Sequence, residues 1–194
     1  RLCDIEWDVP VGAVRACGGN ALMRVHALRD VGGFNAGLIA GEEPELCVRF
    51  RQGGWKIWHL ADPMALHDAN MLRFGQWWQR TRRSGFAFAQ GMAMHGARPE
   101  RHYVAETRRA VVWGIVLPLL VVAGSVAHPL AALAGLAYPM QILRLGVVRA
   151  VRGERAPWTQ AVFLVVGRFP EAQGVVQYLW ARWRKSPARL IEYK

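Results

Sequence analysis

Several residue types are scarce in this sequence, and each scarcity narrows the class of protein. Cysteine occurs only three times, as Cys3, Cys17 and Cys47, with no CxxC pair and no zinc-ligand spacing. That pattern argues against a disulfide-rich secreted domain and favours a reducing compartment. The opening ten residues, RLCDIEWDVP, also lack the net positive start and the apolar run of a signal peptide. We therefore expect the numbering, which starts at Arg1, to begin inside a longer protein.

Lysine is scarce throughout, and acidic residues are scarce in the rear of the chain. Only three of the 25 Lys and Arg residues are lysine, and only five of the 14 Asp and Glu residues follow Met71. The rear therefore carries the positive excess behind the net charge of +11. Its arginines flank apolar stretches and do not form a basic stripe interleaved with aromatic residues. A nucleic-acid-binding module is consequently disfavoured, and we expect no nucleic-acid partner.

Charge is absent altogether from the 34 residues between Ala110 and Leu143. One spanning helix needs about 20 apolar residues, so this run is too long for one and adequate for two short helices joined at His128-Pro129. Arginines on both flanks predict a transmembrane hairpin at residues 109–148 with both ends on the cytoplasmic side. The alternative is a buried helical pair in a soluble domain, where its prolines would be costly.

The front of the chain has the pattern of an α/β domain, which we place at residues 1–69. A strand is predicted before the first glycine pair, and a short helix over HALRDV that Gly32 and Gly33 end. EPELCVRFRQ predicts a second helix, with Pro44 at its first position and a Glu45–Arg49 pair. WKIWHL and MALH predict two more short strands.

Two basic helical regions flank the uncharged run. Residues 70–108 contain a long predicted helix, from Asn70 to about His95, in which three glycines are weak points. Its FGQWWQRTRRSG stretch suits either of two roles. It could lie at a membrane boundary, or it could form a face on which a sugar stacks while an arginine guanidinium binds the negative charge of a diphosphate. Residues 149–194 predict interfacial helices with Trp180 and Trp183 at headgroup depth.

Three carboxylates, Glu42, Glu43 and Glu45, crowd into four positions of this otherwise basic chain. Acidic residues in the first turn of a helix are favoured by the helix dipole, which is one explanation. The other is chemical, because crowded like charges raise one pKa toward the range of a general base. His67, at the end of a predicted strand, similarly suits either a structural role or binding of a metal or phosphate.

A resemblance to a known family emerges from residues 17–68, CGGNALMRVHALRDVGGFNAGLIAGEEPELCVRFRQGGWKIWHLADPMALHD. This stretch resembles the acceptor-side half of a family 2 inverting glycosyltransferase. Its GGF matches the glycine-rich segment of that family, and GEEPEL matches the Gly-Glu-Asp-x-Asp-Leu motif that supplies the catalytic base. The base position falls on Glu43, where the family usually has Asp, and Glu42 is the alternative.

The resemblance implies an α/β fold: the C-terminal half of a GT-A, Rossmann-like domain followed by a helical membrane hairpin. It implies transfer from a nucleotide-sugar donor to a lipid-linked or glycan acceptor, in cell-envelope or exopolysaccharide synthesis at the inner membrane, with the site facing the cytoplasm. A divalent cation, Mg²⁺ or Mn²⁺, is expected with His67 as a ligand. The other implied site residues bind substrate: Gly19, Asn20, Gln76, Trp77 and Arg80.

Two features depart from the family pattern. QWWQR matches the Gln-x-x-Arg-Trp motif of processive members only loosely, which argues against a polymer synthase. The donor-binding half, with its Asp-x-Asp motif, is missing from these residues and is expected to precede Arg1. The competing interpretation is a non-catalytic membrane protein whose basic face recruits anionic lipid or a partner.

Overall fold

The computed structural model describes residues 10–62 and 71–185. Within them lie two short strands and a larger set of helices. The strands are β1 (Gly12–Val14) and β2 (Ile57–His59). The helices are α1 (Val25–Asp30), α2 (Glu42–Gln52), α3 (Phe74–His95), α4 (Val104–Ala127), α5 (Pro129–Val151), α6 (Pro157–Val166) and α7 (Arg168–Trp183).

The strands of the described part form one antiparallel two-stranded sheet, in which Gly12 lies opposite His59. The predicted α/β fold, as half of a GT-A, Rossmann-like domain, is therefore wrong. Such a fold needs a parallel sheet that helices cover on both faces. Strands of three residues cannot provide that surface, and most apolar residues lie in helices instead. The predicted MALH strand, residues 64–67, lies outside the described residues.

Helix α2 forms where its end signals predict it. Gly41 precedes it with φ of 78°, a left-handed conformation that glycine adopts without strain. The helix begins two residues before Pro44, because the carboxylates themselves form its first turn. Its buried face, Leu46 and Phe50, packs on Ala27 of α1, and this cluster is the core of the front part.

Helices α3 and α7 form the centre of the rear part and cross at two glycines. A Cβ added to Gly85 would lie 2.5 Å from the Cα of Glu171, and one added to Gly174 would lie 2.6 Å from the backbone nitrogen of Phe86. The two backbones therefore touch. Gly85, expected to be a weak point of α3, is instead the contact that allows this crossing.

Helices α4 and α5, 24 and 23 residues long, are long and apolar enough to cross a membrane. A π-helical stretch, Val112–Val116, lies inside α4, and a 3₁₀ stretch, Pro129–Leu136, opens α5. The chain turns back at His128, as the sequence predicts, and the Tyr138 hydroxyl donates to the Trp113 carbonyl at 2.6 Å. Both helices are longer than the two short helices predicted, because they continue into the charged flanks. At 1.5 Å per residue they reach about 35 Å.

Candidate functional site

An extended segment, residues 15–19, runs antiparallel along α2. Three residue pairs define this arrangement: Arg15 with Arg51, Cys17 with Cys47, and Gly19 with Glu43. From one pair to the next, the position moves by two residues in the segment and by four residues in the helix. Two extended residues advance about 6.6 Å and four helical residues about 6 Å, so the two periods stay in register. The segment therefore delivers Gly19 to the start of α2.

Gly19 and Glu43, both predicted as site residues, come together at this point. A Cβ added to Gly19 would lie 3.5 Å from Oε1 of Glu43. Glu43 is half-buried in the first turn of α2, next to the half-buried Glu42, while Gly19 and Asn20 are exposed. The extended segment therefore lies directly beside the Glu43 carboxylate.

Tyr103 forms a neighbouring wall of the site. Its ring lies between two glycines: added Cβ atoms would be 3.9 Å from it at Gly41 and 2.7 Å at Gly91. Burial raises the pKa of Tyr103 to about 12, and the negative charges of Glu106 and Glu43 add to the effect. The hydroxyl therefore stays protonated at neutral pH and can act as a hydrogen-bond donor.

Glu45 connects the first turn of α2 to α3 and to a later turn of its own helix. Its carboxylate is 2% exposed and accepts hydrogen bonds from Arg49 at 2.7 Å and from His95 of α3 at 2.9 Å. Burial acts to raise the pKa of Glu45, but these hydrogen bonds outweigh it and hold the pKa below its usual value. Arg49 also donates to the carbonyls of Val31 and Gly33. The predicted Glu45–Arg49 pair is confirmed, within a larger network.

Glu100 joins the extended segment to α2 at the Arg15–Arg51 end of the same arrangement. Its carboxylate accepts from Arg15 at 2.9 Å and also from Arg51. The hydrogen bond from Arg51 holds the pKa of Glu100 below its usual value. Since Arg15 opens the extended segment and Arg51 lies in the last turn of α2, this shared carboxylate helps to fix the register between them.

The predicted substrate-binding residues of α3 have structural partners. Gln76 accepts hydrogen bonds at 3.0 Å from the backbone nitrogens of Leu72 and Arg73, so it caps the start of α3. The Trp77 ring meets Phe163 of α6 edge-on, with 4.8 Å between ring centroids. Arg80 is half-buried and also has a partner. A sugar-binding role for these three residues stays a prediction.

The predicted cation site falls largely outside what the structure describes. His67 lies outside the described residues. Within residues 10–62 and 71–185, no group of three His, Cys, Asp or Glu side chains could hold a metal ion. The described residues therefore do not form a Mg²⁺ or Mn²⁺ site by themselves, and the cation stays a prediction that depends on His67 and on groups elsewhere.

Four residues near the first turn of α2 were not anticipated as part of the site: Cys17, Cys47, His95 and Tyr103. Cys47 lies one helical turn after Glu43, but the other three are separated from α2 by distances along the chain that follow no helix or strand period, so no local pattern could have indicated their contacts. The alternation of Arg15, Cys17 and Gly19 is the one local signal, because an extended segment places those residues on one side. Compared with protein-family models, with curated proteins and with solved structures, the chain matches none of them.

Proposed function

We propose that the chain is the acceptor-side, membrane-bound part of an inverting glycosyltransferase. In this proposal a sugar passes from a nucleotide-sugar donor to a hydroxyl of a lipid-linked or glycan acceptor, in cell-envelope or exopolysaccharide synthesis. The observation that carries the proposal is the Glu43 carboxylate, half-buried at the start of α2 and directly beside Gly19. The GGF and GEEPEL motifs support it.

Glu43 has the role of general base. Its carboxylate takes the proton of the acceptor hydroxyl while that oxygen forms a bond to the anomeric carbon and the nucleoside diphosphate leaves from the opposite face, which inverts the configuration. Two features make Glu43 suited to this task. The Glu45 network holds the first turn of α2 in place, and Gly19 puts no side chain next to the carboxylate that the acceptor must reach. Donor binding is assigned to a part of the enzyme outside these 194 residues.

A membrane-derived acceptor suits the position of the site. Tyr103, which walls the site, is directly followed by the first residue of α4, the first candidate spanning helix. The Glu43 site therefore lies at the base of that helix. The arginines that flank α4 and α5 favour a cytoplasmic orientation of this end. On α7, Trp180 and Trp183 are exposed and the Arg184 guanidinium lies 4.6 Å from the Trp180 ring centre, an arrangement typical of a membrane interface.

Paired substitutions in the complete enzyme test the proposal. Native membranes that contain wild-type protein, Glu43→Gln or Glu42→Gln are given a panel of labelled UDP- and GDP-sugars. Nucleoside diphosphate release and label in the lipid fraction are measured. We expect Glu43→Gln to lower turnover by at least about a hundredfold with donor binding nearly unchanged, since general bases contribute about 10²–10⁴-fold. Glu42→Gln, the matched control, should retain turnover within severalfold.

Two outcomes would contradict this assignment. If Glu42→Gln loses turnover and Glu43→Gln does not, the base is Glu42. If the wild-type membranes transfer no sugar from any donor above the level of membranes without the protein, the glycosyltransferase proposal is wrong.

A second candidate function, recruitment of anionic lipid, is favoured by the exposed Arg182 and Arg184 beside the exposed tryptophans of α7. Protein in nanodiscs of mixed phosphatidylcholine and phosphatidylglycerol should then retain phosphatidylglycerol preferentially. That enrichment should disappear when both arginines are replaced by Gln. Without transfer activity, such enrichment would support this candidate in place of the first.

A further inference from the structure

Two cysteines meet between the extended segment and α2. The Sγ atoms of Cys17 and Cys47 lie 3.5 Å apart, and neither residue is in a disulfide. Cys47 is completely buried, whereas Cys17 is half-buried. A disulfide joins its sulfurs at about 2.0 Å, so closure requires an approach of about 1.5 Å. Cys17 belongs to a segment, residues 15–19, that is mostly exposed and without helix or strand structure over residues 16–19, so it can make that approach.

We propose that Cys17 and Cys47 form a reversible redox site, in which Cys17 reacts with a small-molecule disulfide of the glutathione type and Cys47 completes an internal disulfide. The difference in exposure sets the order of the steps. Only Cys17 can be reached from solvent, so it is the first thiol to react. Cys47 is enclosed and can attack only a sulfur already next to it.

The hydrogen bond between the two sulfurs couples their protonation states. The hydrogen bond from the Cys17 thiol lowers the pKa of Cys47 to about 7, with a further contribution from the charge of Arg51. The same hydrogen bond, followed by burial, raises the pKa of Cys17. Near pH 7 about half of the pairs have therefore lost one proton, mainly from Cys47. Transfer of the remaining proton from Cys17 to Cys47 across the 3.5 Å contact then generates the Cys17 thiolate that meets the oxidant.

The reaction balances in two exchanges. The Cys17 thiolate attacks one sulfur of oxidised glutathione, which forms a mixed disulfide and releases one glutathione thiolate. The Cys47 thiolate then attacks Sγ of Cys17, forms the Cys17–Cys47 bond and releases the second glutathione. Two cysteine thiols are oxidised, one glutathione disulfide is reduced to two thiols, and the two cysteine protons pass to the leaving thiols. Excess glutathione reverses both steps.

Oxidation would tie the extended segment covalently to α2. Gly19 lies two residues beyond Cys17 and Glu43 one turn before Cys47, so the covalent bond is next to the contact between Gly19 and Glu43. The redox site follows from the sulfur geometry alone and does not depend on the proposed function.

The test uses the full chain, purified in detergent, with Cys3→Ser to remove the third thiol. Wild-type pair, Cys17→Ala and Cys47→Ala proteins are equilibrated in glutathione buffers of increasing oxidised fraction, alkylated and mapped by mass spectrometry. The intact pair should form an internal Cys17–Cys47 disulfide. The Cys47→Ala protein should stop at glutathione bound to Cys17. In the Cys17→Ala protein, Cys47 should react with oxidised glutathione at least about tenfold more slowly than Cys17 does in the Cys47→Ala protein.

Three results would overturn the proposal: no internal disulfide at any buffer ratio, glutathione on Cys47 as fast as on Cys17, or a disulfide that excess glutathione does not reverse. The mapping of the intact pair needs no substitution at Cys17 or Cys47, so it remains decisive even if Cys47→Ala does not fold.

Discussion

The crossing of α3 and α7 gives a prediction whose sign and size follow from the geometry. Alanine at position 85 places a Cβ 2.5 Å from the Cα of Glu171, whereas carbon atoms in contact prefer about 3.5–4.0 Å. The helices must therefore separate by about 1 Å or more. Overpacking of this kind costs about 1–3 kcal/mol, and a backbone obstacle places the cost near the upper value. Alanine regains up to about 1 kcal/mol of helix propensity over glycine. The net loss is about 2 kcal/mol.

At about 2–4 °C per kcal/mol for a chain of this size, Gly85→Ala should lower Tm by about 4–8 °C. Gly75→Ala is the matched control, since Gly75 lies in the same helix and an added Cβ meets nothing within 4 Å. The control should leave Tm unchanged or raise it slightly. Differential scanning fluorimetry in detergent measures both. Because Gly85 and Gly174 share one crossing, the double alanine variant should lose less than the sum of the single losses. Equal Tm values for the two single variants at positions 75 and 85 would refute the close crossing.

Three other predictions concern the Glu45 network, His102 and the membrane hairpin. Glu45→Gln should lower Tm at pH 7, because it removes the charge that Arg49 requires in a buried site. Since the Glu45 pKa is depressed, the Tm difference between wild type and variant should shrink as pH falls below about 4.5. A Tm difference that stays constant with pH would contradict the ionic role. Burial lowers the pKa of His102 from 6.5 to about 4, so protonation favours the unfolded chain and Tm should fall as pH drops from about 6.5 to 4.5. His102→Phe should flatten this part of the plot of Tm against pH. An unchanged slope would exclude His102 as the cause of the fall. Single cysteines at positions 109 and 152, in a cysteine-free background, should label only from the cytoplasmic side and one at 129 only from the other side or not at all; labelling of 109 and 152 from opposite sides would exclude the hairpin.

The elements that the sequence predicts well depend on neighbouring residues. Helix α2 is bounded by Gly41 and Gly53, its first turn carries the carboxylates, and Glu45 pairs with Arg49 one turn later. The uncharged run likewise defines where α4 and α5 lie and where they turn. These signals act within a few residues, so composition and spacing are enough to find them.

The fold class and most of the site contacts depend on residues far apart in the sequence. β1 and β2 are separated by more than 40 residues, and nothing in either three-residue strand specifies whether they pair parallel or antiparallel. Gly85 shows the same limit: a glycine inside a helix indicates weakness by propensity alone, and only its partner in α7 shows that it permits a close contact. The meeting of Cys17 with Cys47 has the same non-local origin.

Tyr103 has φ of 56°, and its ring fills the space between Gly41 and Gly91 immediately before α4 begins. A helix that spans a bilayer changes its tilt when the thickness of the hydrocarbon layer changes. If α4 spans a bilayer, such a tilt moves Tyr103, the residue directly before it, whose ring also packs on Phe88 and His102. Because the same ring lies beside Gly41 at the start of α2, the geometry around Glu43 would then vary with the lipid composition of the membrane.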